Sequence, residues 1–297
     1  MSALRIATRG SRLALIQAEL AAAKLRDAHP GLAVELVTIA TAGDRDQTTP
    51  LAEGEKAGWF TSTIQEALLR GEADLAVHSY KDLPTKRPGG LVIAAIPLRE
   101  DPRDALVSRD RAGLRELRRG AIVGTSSPRR TAQLQEIRPD LDVRPIRGNV
   151  DSRVAKVESG EYDAAVLALA GLRRLGLETR ADEVFGFEVM LPAPAQGALA
   201  LECRTGDSAT RALLASIDDA GLRLSVTAER VFLATIDGGC SFPAAAYAEH
   251  FGSTLKLNAL IAADGRIVRS KMAGPAETAA GLGRQLADEL MRLAGLR

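Results

Sequence analysis

Short unbroken apolar runs alternate with stretches in which apolar residues recur every three or four positions, and this alternation holds through the first two thirds of the chain. Runs at 4–8, 34–39, 73–77 and 91–96 read as strands covered on both faces, because a strand wet on one side would alternate apolar and polar residues. Residues 12–28 carry helical spacing, with Ser11 placed to cap the start and Pro30 and Gly31 to end it. Beyond the polar stretch 99–104 a second series has strands at 121–123, 141–146 and 164–169, and the whole predicts α/β layers with mostly parallel sheets. A strand at 198–202 follows the Pro-containing stretch 191–196 and is expected to return the chain to the first sheet, so that two linkers cross one cleft. The remainder reads differently. A helix through 225–236, strands at 244–250, 254–261 and 266–271, a turn at Asp264 and Gly265, and a closing helix at 276–293 predict a small antiparallel α+β domain. The expected domains are therefore 1–97 with 197–216, then 103–192, then 220–297.

A chain of 297 residues has room for a core in each of these. Charge changes the picture by exclusion: 39 Lys and Arg stand against 38 Asp and Glu, so no global attraction to nucleic acid or to a membrane surface is expected. An aromatic content of 3% argues against base stacking, and no Walker loop, no GxGxxG after a strand and no Ser-His-Asp order supports nucleotide or triad chemistry. Two cysteines make no disulfide framework, and the scattered His29, His78 and His250 offer no zinc spacing, so no metal is expected. The first residues run into a strand pattern without a charged and apolar leader, and no apolar run reaches spanning length, which leads to the expectation of a cytoplasmic protein.

Candidate chemistry collects at strand ends. Thr125, Ser126, Ser127, Pro128, Arg129 and Arg130 follow a strand directly; Ser127 suits a cap and Pro128 the first helical position, so free backbone N–H groups, hydroxyls and two guanidinium groups form an anion site for phosphate or carboxylate. Arg147 with Gly148 and Asn149, then Arg153, then Arg173 and Arg174 follow the next two strands, at the usual ligand edge of an open α/β sheet. Arginine at each place suits bidentate recognition of an oxyanion. Arg9 and Ser11 flank the first strand-to-helix turn, and Val77 to Pro84 sets Lys81 beside Asp82 at a third strand end, where a carboxylate among cations can stabilise developing positive charge or move a proton. Cys240, after Gly238 and Gly239 on a turn between helix and strand, is placed for covalent work, whereas Cys203 inside an apolar run reads as a small core residue, and His78 as a hydrogen-bonded structural one.

Taken together, IATRGSRLAL at 6–15, VHSYKDLP at 77–84, VGTSSPRR at 123–130, IRGNVDSR at 146–153, LAGLRRLG at 169–176, QGALALECR at 196–204 and DGGCSFPAAAYA at 237–248 resemble the porphobilinogen deaminase family in order and spacing over nearly the whole chain. The resemblance implies two periplasmic-binding-protein-like α/β domains with a hinged cleft and a small C-terminal α+β domain. It implies a transferase of tetrapyrrole biosynthesis that condenses four porphobilinogen molecules, with loss of ammonia, onto a dipyrromethane held by a thioether to Cys240, and then releases hydroxymethylbilane. By the same resemblance Asp82 is the catalytic aspartate; Lys81, Asp82, Thr125, Ser127, Arg129, Arg130 and Arg147 contact the cofactor; and Arg9, Ser11, Arg147, Arg153, Arg174 and Gln196 contact substrate or the growing chain. It further implies a monomer whose partner is the small-molecule substrate alone, with no nucleic acid and no membrane.

Three places depart from the family's pattern. Residues 55–60 read Glu, Lys, Ala, Gly, Trp, Phe where a glycine- and lysine-rich stretch is usual, Tyr80 stands where methionine is common, and Ala195 where glycine is common. A solute receptor with an anion-lined cleft is the rival reading; the Gly238-Gly239-Cys240 turn and the Lys81–Asp82 pair weigh against it.

Overall fold

The computed structural model describes residues 3–40, 61–236 and 242–296. The chain divides into two compact units, Met1–Glu100 with Ala198–Arg223, and Asp101–Gly197 with Leu224–Arg297.

The first unit opens with β1 (Leu4–Thr8), α1 (Arg12–Ala28) and β2 (Val34–Thr38), and continues through α2 (Ser62–Leu69), β3 (Leu75–Ser79) and β4 (Leu91–Ala95). Ser11 accepts a hydrogen bond from the backbone N–H of Ala14 and starts α1 as its position predicts. Ala18, Ala21, Ala22 and Leu25 form one buried stripe of α1 against Leu4, Ile6, Leu75 and Val77, while Ile64 and Leu68 of α2 meet Ala7 and Ala76 on the opposite face. Burial on both faces explains the unbroken apolar strands.

In the second unit come β5 (Asp104–Ser108), β6 (Ile122–Gly124), α3 (Pro128–Ile137), β7 (Asp142–Arg144), α4 (Val150–Glu158), β8 (Ala164–Ala168), α5 (Leu169–Arg174) and the two-residue β9 (Glu183–Val184). The chain then returns to the first unit as β10 (Leu199–Arg204) and α6 (Ser208–Ala215). The sheets run β2-β1-β3-β10-β4 and β7-β6-β8-β5-β9.

These sheets are mixed, not mostly parallel as the sequence pattern suggested. β1 is parallel to β2 and β3, but β10 is antiparallel to both β3 and β4; β6 is parallel to β7 and β8, but β5 is antiparallel to β8 and β9. The reversed strands, β5 and β10, are the ones that follow a passage between units, and no helical crossover brings them alongside their partners as it does for β1 to β2. β5 also lies where no strand was expected, because the charged stretch before it and Arg109 after it obscure a short run whose five residues are all buried.

The last segment comprises α7 (Ala220–Thr235), the antiparallel meander β11 (Ala244–Phe251), β12 (Thr254–Ala263) and β13 (Arg266–Pro275), and α8 (Ala279–Leu293). Asp264 and Gly265 have φ of 49° and 73°, the paired positive values of a tight hairpin turn. Phe232, Leu255, Leu257, Leu286 and Leu290 fill the core between helices and sheet. α7 and α8 cross so closely at Gly283 that an added Cβ would collide with the Ala228 carbonyl oxygen. The other sheet face carries Ala245 and Leu260 against Leu191, with the Phe187 and Tyr247 rings stacked at 4.2 Å. The fold is thus α/β with a small C-terminal sheet domain.

Candidate functional site

In the first unit, the register of β1 with β3 sets Ala7 opposite Ala76, so Arg9 and the segment after Ser79 leave the carboxyl ends of adjacent parallel strands. β3 passes into a single 3-10 turn, Tyr80–Asp82, which Leu83 closes by donating its N–H to the Tyr80 carbonyl and by burying its side chain completely. Lys81 is half-buried in this turn and Asp82 is exposed. The turn is held from beneath. Gln17 of α1 donates to the Ser79 hydroxyl at 2.8 Å, and the buried Thr8 hydroxyl donates to the Ala14 carbonyl at 3.1 Å, fixing the entry to α1 beside Arg9 and Ser11.

Deeper in this sheet lies a buried polar cluster. The Glu202 carboxylate, wholly buried on β10, accepts from Gln65 through both oxygens at 3.1 Å, and the His78 ring faces it at 3.2 Å. His78 is thus buried beside a carboxylate, but its Nε2 forms no hydrogen bond among the described residues, where its position suggested a hydrogen-bonded structural residue. Cys203, next on β10, is also wholly buried, and burial, with Asp207 nearby, pushes its thiol up to about 11. Such a thiol is a poor source of thiolate at neutral pH.

In the second unit the loops after β6, β7 and β8 gather the arginines. The Ser127 hydroxyl caps α3 by accepting from the Arg130 N–H at 3.5 Å, with Pro128 at the first helical position, and Thr125 accepts from the Ser127 N–H at 3.2 Å. Ser126 ties this loop to the next by donating to the Ile146 carbonyl at 2.8 Å and accepting from the Ile146 N–H at 3.1 Å. Gly124 permits this approach, since a Cβ there would sit 2.9 Å from Ile146 and 3.0 Å from Tyr162. Arg147 is half-buried, and its Nη1 is buried without a hydrogen-bond partner among the described residues. Arg153 Nε donates to the Gly148 carbonyl at 2.9 Å, and Arg174 Nη2 to the Gly197 carbonyl at 2.6 Å. Arg173 reaches Asp101 at 3.5 Å.

Arg129 and Arg130 lie deeper than a reading of them as open ligand contacts implies. Both are buried, and both pair with Asp104, the first residue of β5: Arg129 Nη1 donates to its Oδ2 at 2.7 Å, Arg130 Nη2 and Nε to its Oδ1 at 2.6 and 3.1 Å. Gln196 completes the group, donating to the same Oδ1 at 2.9 Å and to the Pro102 carbonyl at 2.6 Å. Burial alone would raise the Asp104 carboxyl, but the charges of Arg129 and Arg130 outweigh it and hold the group far below the usual carboxylate range. Asp104 escaped the sequence reading because it closes a polar stretch; the signal was a carboxylate opening the wholly apolar triplet Ala105, Leu106, Val107.

A second missed carboxylate, Glu229 of α7, is wholly buried and accepts from the backbone N–H groups of Ala195 at 2.6 Å and Ala248 at 2.8 Å. Ala195 has φ of 63°, which accounts for glycine being common at this position in the family it resembles. Cys240 and the departures at 55–60 lie outside the described residues.

The unspent donors Arg147 Nη1 and Arg129 Nε, both buried, fit a ligand that carries carboxylates, and so suit a dipyrromethane with its acidic side chains. Among solved structures, the VFT2 domain of BvgS from Bordetella pertussis is similar at 17% identity and TM-score 0.42, over 72% of this chain and 86% of that one. A periplasmic binding protein of high arginine specificity from Salmonella typhimurium is similar at 12% identity and TM-score 0.41, over 73% and 92%. A curated porphobilinogen deaminase from Syntrophotalea carbinolica is 48% identical over 292 residues, 98% of this chain and 93% of that protein. The family model for the porphobilinogen deaminase dipyrromethane cofactor binding domain matches residues 4–212, and that for the C-terminal domain of the same enzymes matches residues 223–292. With both halves of the sequence matched in order, the chain belongs to the porphobilinogen deaminase family.

Proposed function

We propose that this enzyme condenses four porphobilinogen molecules head to tail on a dipyrromethane held at Cys240, releasing ammonia at each addition and hydroxymethylbilane at the end. The observation that carries the site assignment is the convergence of guanidinium groups at the loops after β6, β7 and β8, with the buried Arg147 Nη1 donor unspent. When bound, the dipyrromethane supplies the free pyrrole α-carbon at which the chain is lengthened.

The protein's part is recognition and charge. In this reading Thr125, Ser127, Arg129, Arg130 and Arg147, with Lys81, hold cofactor carboxylates, and Arg9, Ser11, Arg147, Arg153 and Arg174 take those of the substrate and of the lengthening product, whereas Gln196, buried with its amide hydrogens given to Asp104 and Pro102, supports Asp104 instead of touching substrate. Asp82, exposed on a turn pinned by Leu83 and by the Gln17–Ser79 contact, offers a carboxylate to the positive charge that develops on pyrrole nitrogen as ammonia leaves, and to the protons shed on coupling. Cys240 is favoured as the attachment point because the other cysteine, Cys203, is buried with its thiol pushed up. The reading extends to three domains, 1–97 with 197–216, 103–192 and 220–297, moving about a hinged cleft as the chain grows, and to a monomer in the cytoplasm. No helix among the described residues is long and apolar enough to cross a membrane.

Intact mass of the denatured protein tests this. Wild type and Cys203→Ser should both carry a dipyrromethane-sized excess that grows in pyrrole-sized steps with porphobilinogen, and Cys240→Ser should carry none. An unmodified wild type that never gains mass, or an adduct that follows Cys203, would sink the assignment.

A further inference from the structure

The Asp104 cluster holds two buried guanidinium groups and one carboxylate. Asp104 satisfies Arg129 and Arg130 from opposite oxygens, the Leu191 carbonyl takes Arg129 Nη1 at 2.8 Å, and the Val166 carbonyl takes Arg130 Nη1 at 2.9 Å. These bonds leave little rotational freedom to either planar group. They also leave one positive charge without an opposite partner in the cluster, and Arg129 Nε is buried with no acceptor among the described residues. A buried cation in that state is unfavourable until an anion reaches it. Asp104 therefore does two things at once: it cancels one charge so that the pair can be buried, and it aims the remainder.

The same carboxylate accepts from Gln196, whose amide also holds the Pro102 carbonyl, so the segment entering the second unit and the segment leaving it are clasped at the carboxylate that fixes the arginines. Glu229 adds to this by holding the positive-φ Ala195 one residue earlier. Asp104 and Gln196 are wholly buried and Arg129 and Arg130 nearly so, and solvent screening does little to weaken the group.

We propose that Asp104 is a positioning residue for the cofactor's carboxylates, acting through Arg129 and Arg130, which it orients and half-neutralises so that the pair accepts one further carboxylate. This rests on the reading of Arg129 and Arg130 as cofactor partners. A residue that merely holds the fold together would slow cofactor uptake only in proportion to unfolded protein; a positioning residue slows it in protein that is fully folded.

The test uses full-length protein produced in cells unable to make porphobilinogen, offered hydroxymethylbilane, with gain of the four-ring adduct (hydroxymethylbilane less water) followed by intact mass and folding by circular dichroism well below each variant's melting point. Asp104→Asn and Arg129→Gln should each load at least about tenfold more slowly than wild type while folded. The double variant should be no slower than the slower single, because both changes act on one element. If Asp104→Asn does not fold, Asp104→Glu keeps the charge, moves the carboxylate by one methylene, and should still load several-fold more slowly. Wild-type loading by a folded Asp104 variant, or losses that multiply in the double variant, would overturn the inference while leaving the parent reading intact. A wild type that never loads overturns both.

Discussion

Removing the charge of Glu229 should loosen the second unit where α7, the 191–197 turn and β11 meet. Its carboxylate takes two backbone N–H groups, at 2.6 and 2.8 Å, with no solvent access. Glu229→Gln keeps the shape but has one acceptor oxygen, so one bond becomes neutral and the amide NH2 turns toward the other N–H. A charge-assisted bond is worth about 1.5–3 kcal/mol net, and a buried donor left without an acceptor costs about 1–3 kcal/mol. Relief of the carboxylate's own desolvation returns part of this, leaving a loss of about 2–4 kcal/mol. At roughly 2–4 °C per kcal/mol for a domain of this size, the thermal midpoint should fall by about 4–16 °C. The measurement is thermal unfolding of the Cys240→Ser background, which removes any contribution from bound cofactor, paired with hydrogen exchange at the two amides. Exchange at Ala195 or Ala248 should speed up before global unfolding. A midpoint within about 1 °C of the parent, with both amides as protected as before, would refute the reasoning.

Two further outcomes follow from buried geometry. Gly283→Ala should destabilise by about 1–3 kcal/mol despite alanine's better helix propensity, because the new methyl meets the Ala228 carbonyl and the Phe232 nitrogen, backbone atoms that cannot rotate away; a raised denaturation midpoint would contradict this. Asp104 is held far below its ordinary value, so its ion pairs contribute fully above about pH 4 and are lost as pH falls from there toward its folded-state value. Wild type should therefore lose stability between about pH 4 and pH 2 more steeply than Asp104→Asn, and parallel urea-midpoint curves for the two would exclude the effect.

What was legible in the sequence was local. Ser11 and the Ser127–Pro128 pair announced helix starts, Asp264–Gly265 a hairpin, and the apolar surroundings of Cys203 its burial. Each of those signals needs only a few neighbouring residues. The reversed strands β5 and β10 were not legible as such, since a strand's direction is set by partners far along the chain, and composition reads the same both ways. For the same reason the arginines at 129 and 130 were recognised as an anion site while their burial was not. Their partner Asp104 lies 25 and 26 positions away, and Gln196 joins it from 92 positions away. Glu229 was similarly invisible, since a lone acid in a helix normally faces water.

The place of β10 has a consequence for how the chain is made. It is inserted between β3 and β4 of the first sheet, yet it leaves the ribosome only after every strand of the second sheet. Until then β3 and β4 lack the strand that both of them pair with, and each presents an open backbone edge. The second sheet, in contrast, closes from strands drawn from one uninterrupted stretch. Synthesis therefore favours completion of the second sheet ahead of the first, and leaves the nascent first sheet with an edge that a holding chaperone would have reason to cover.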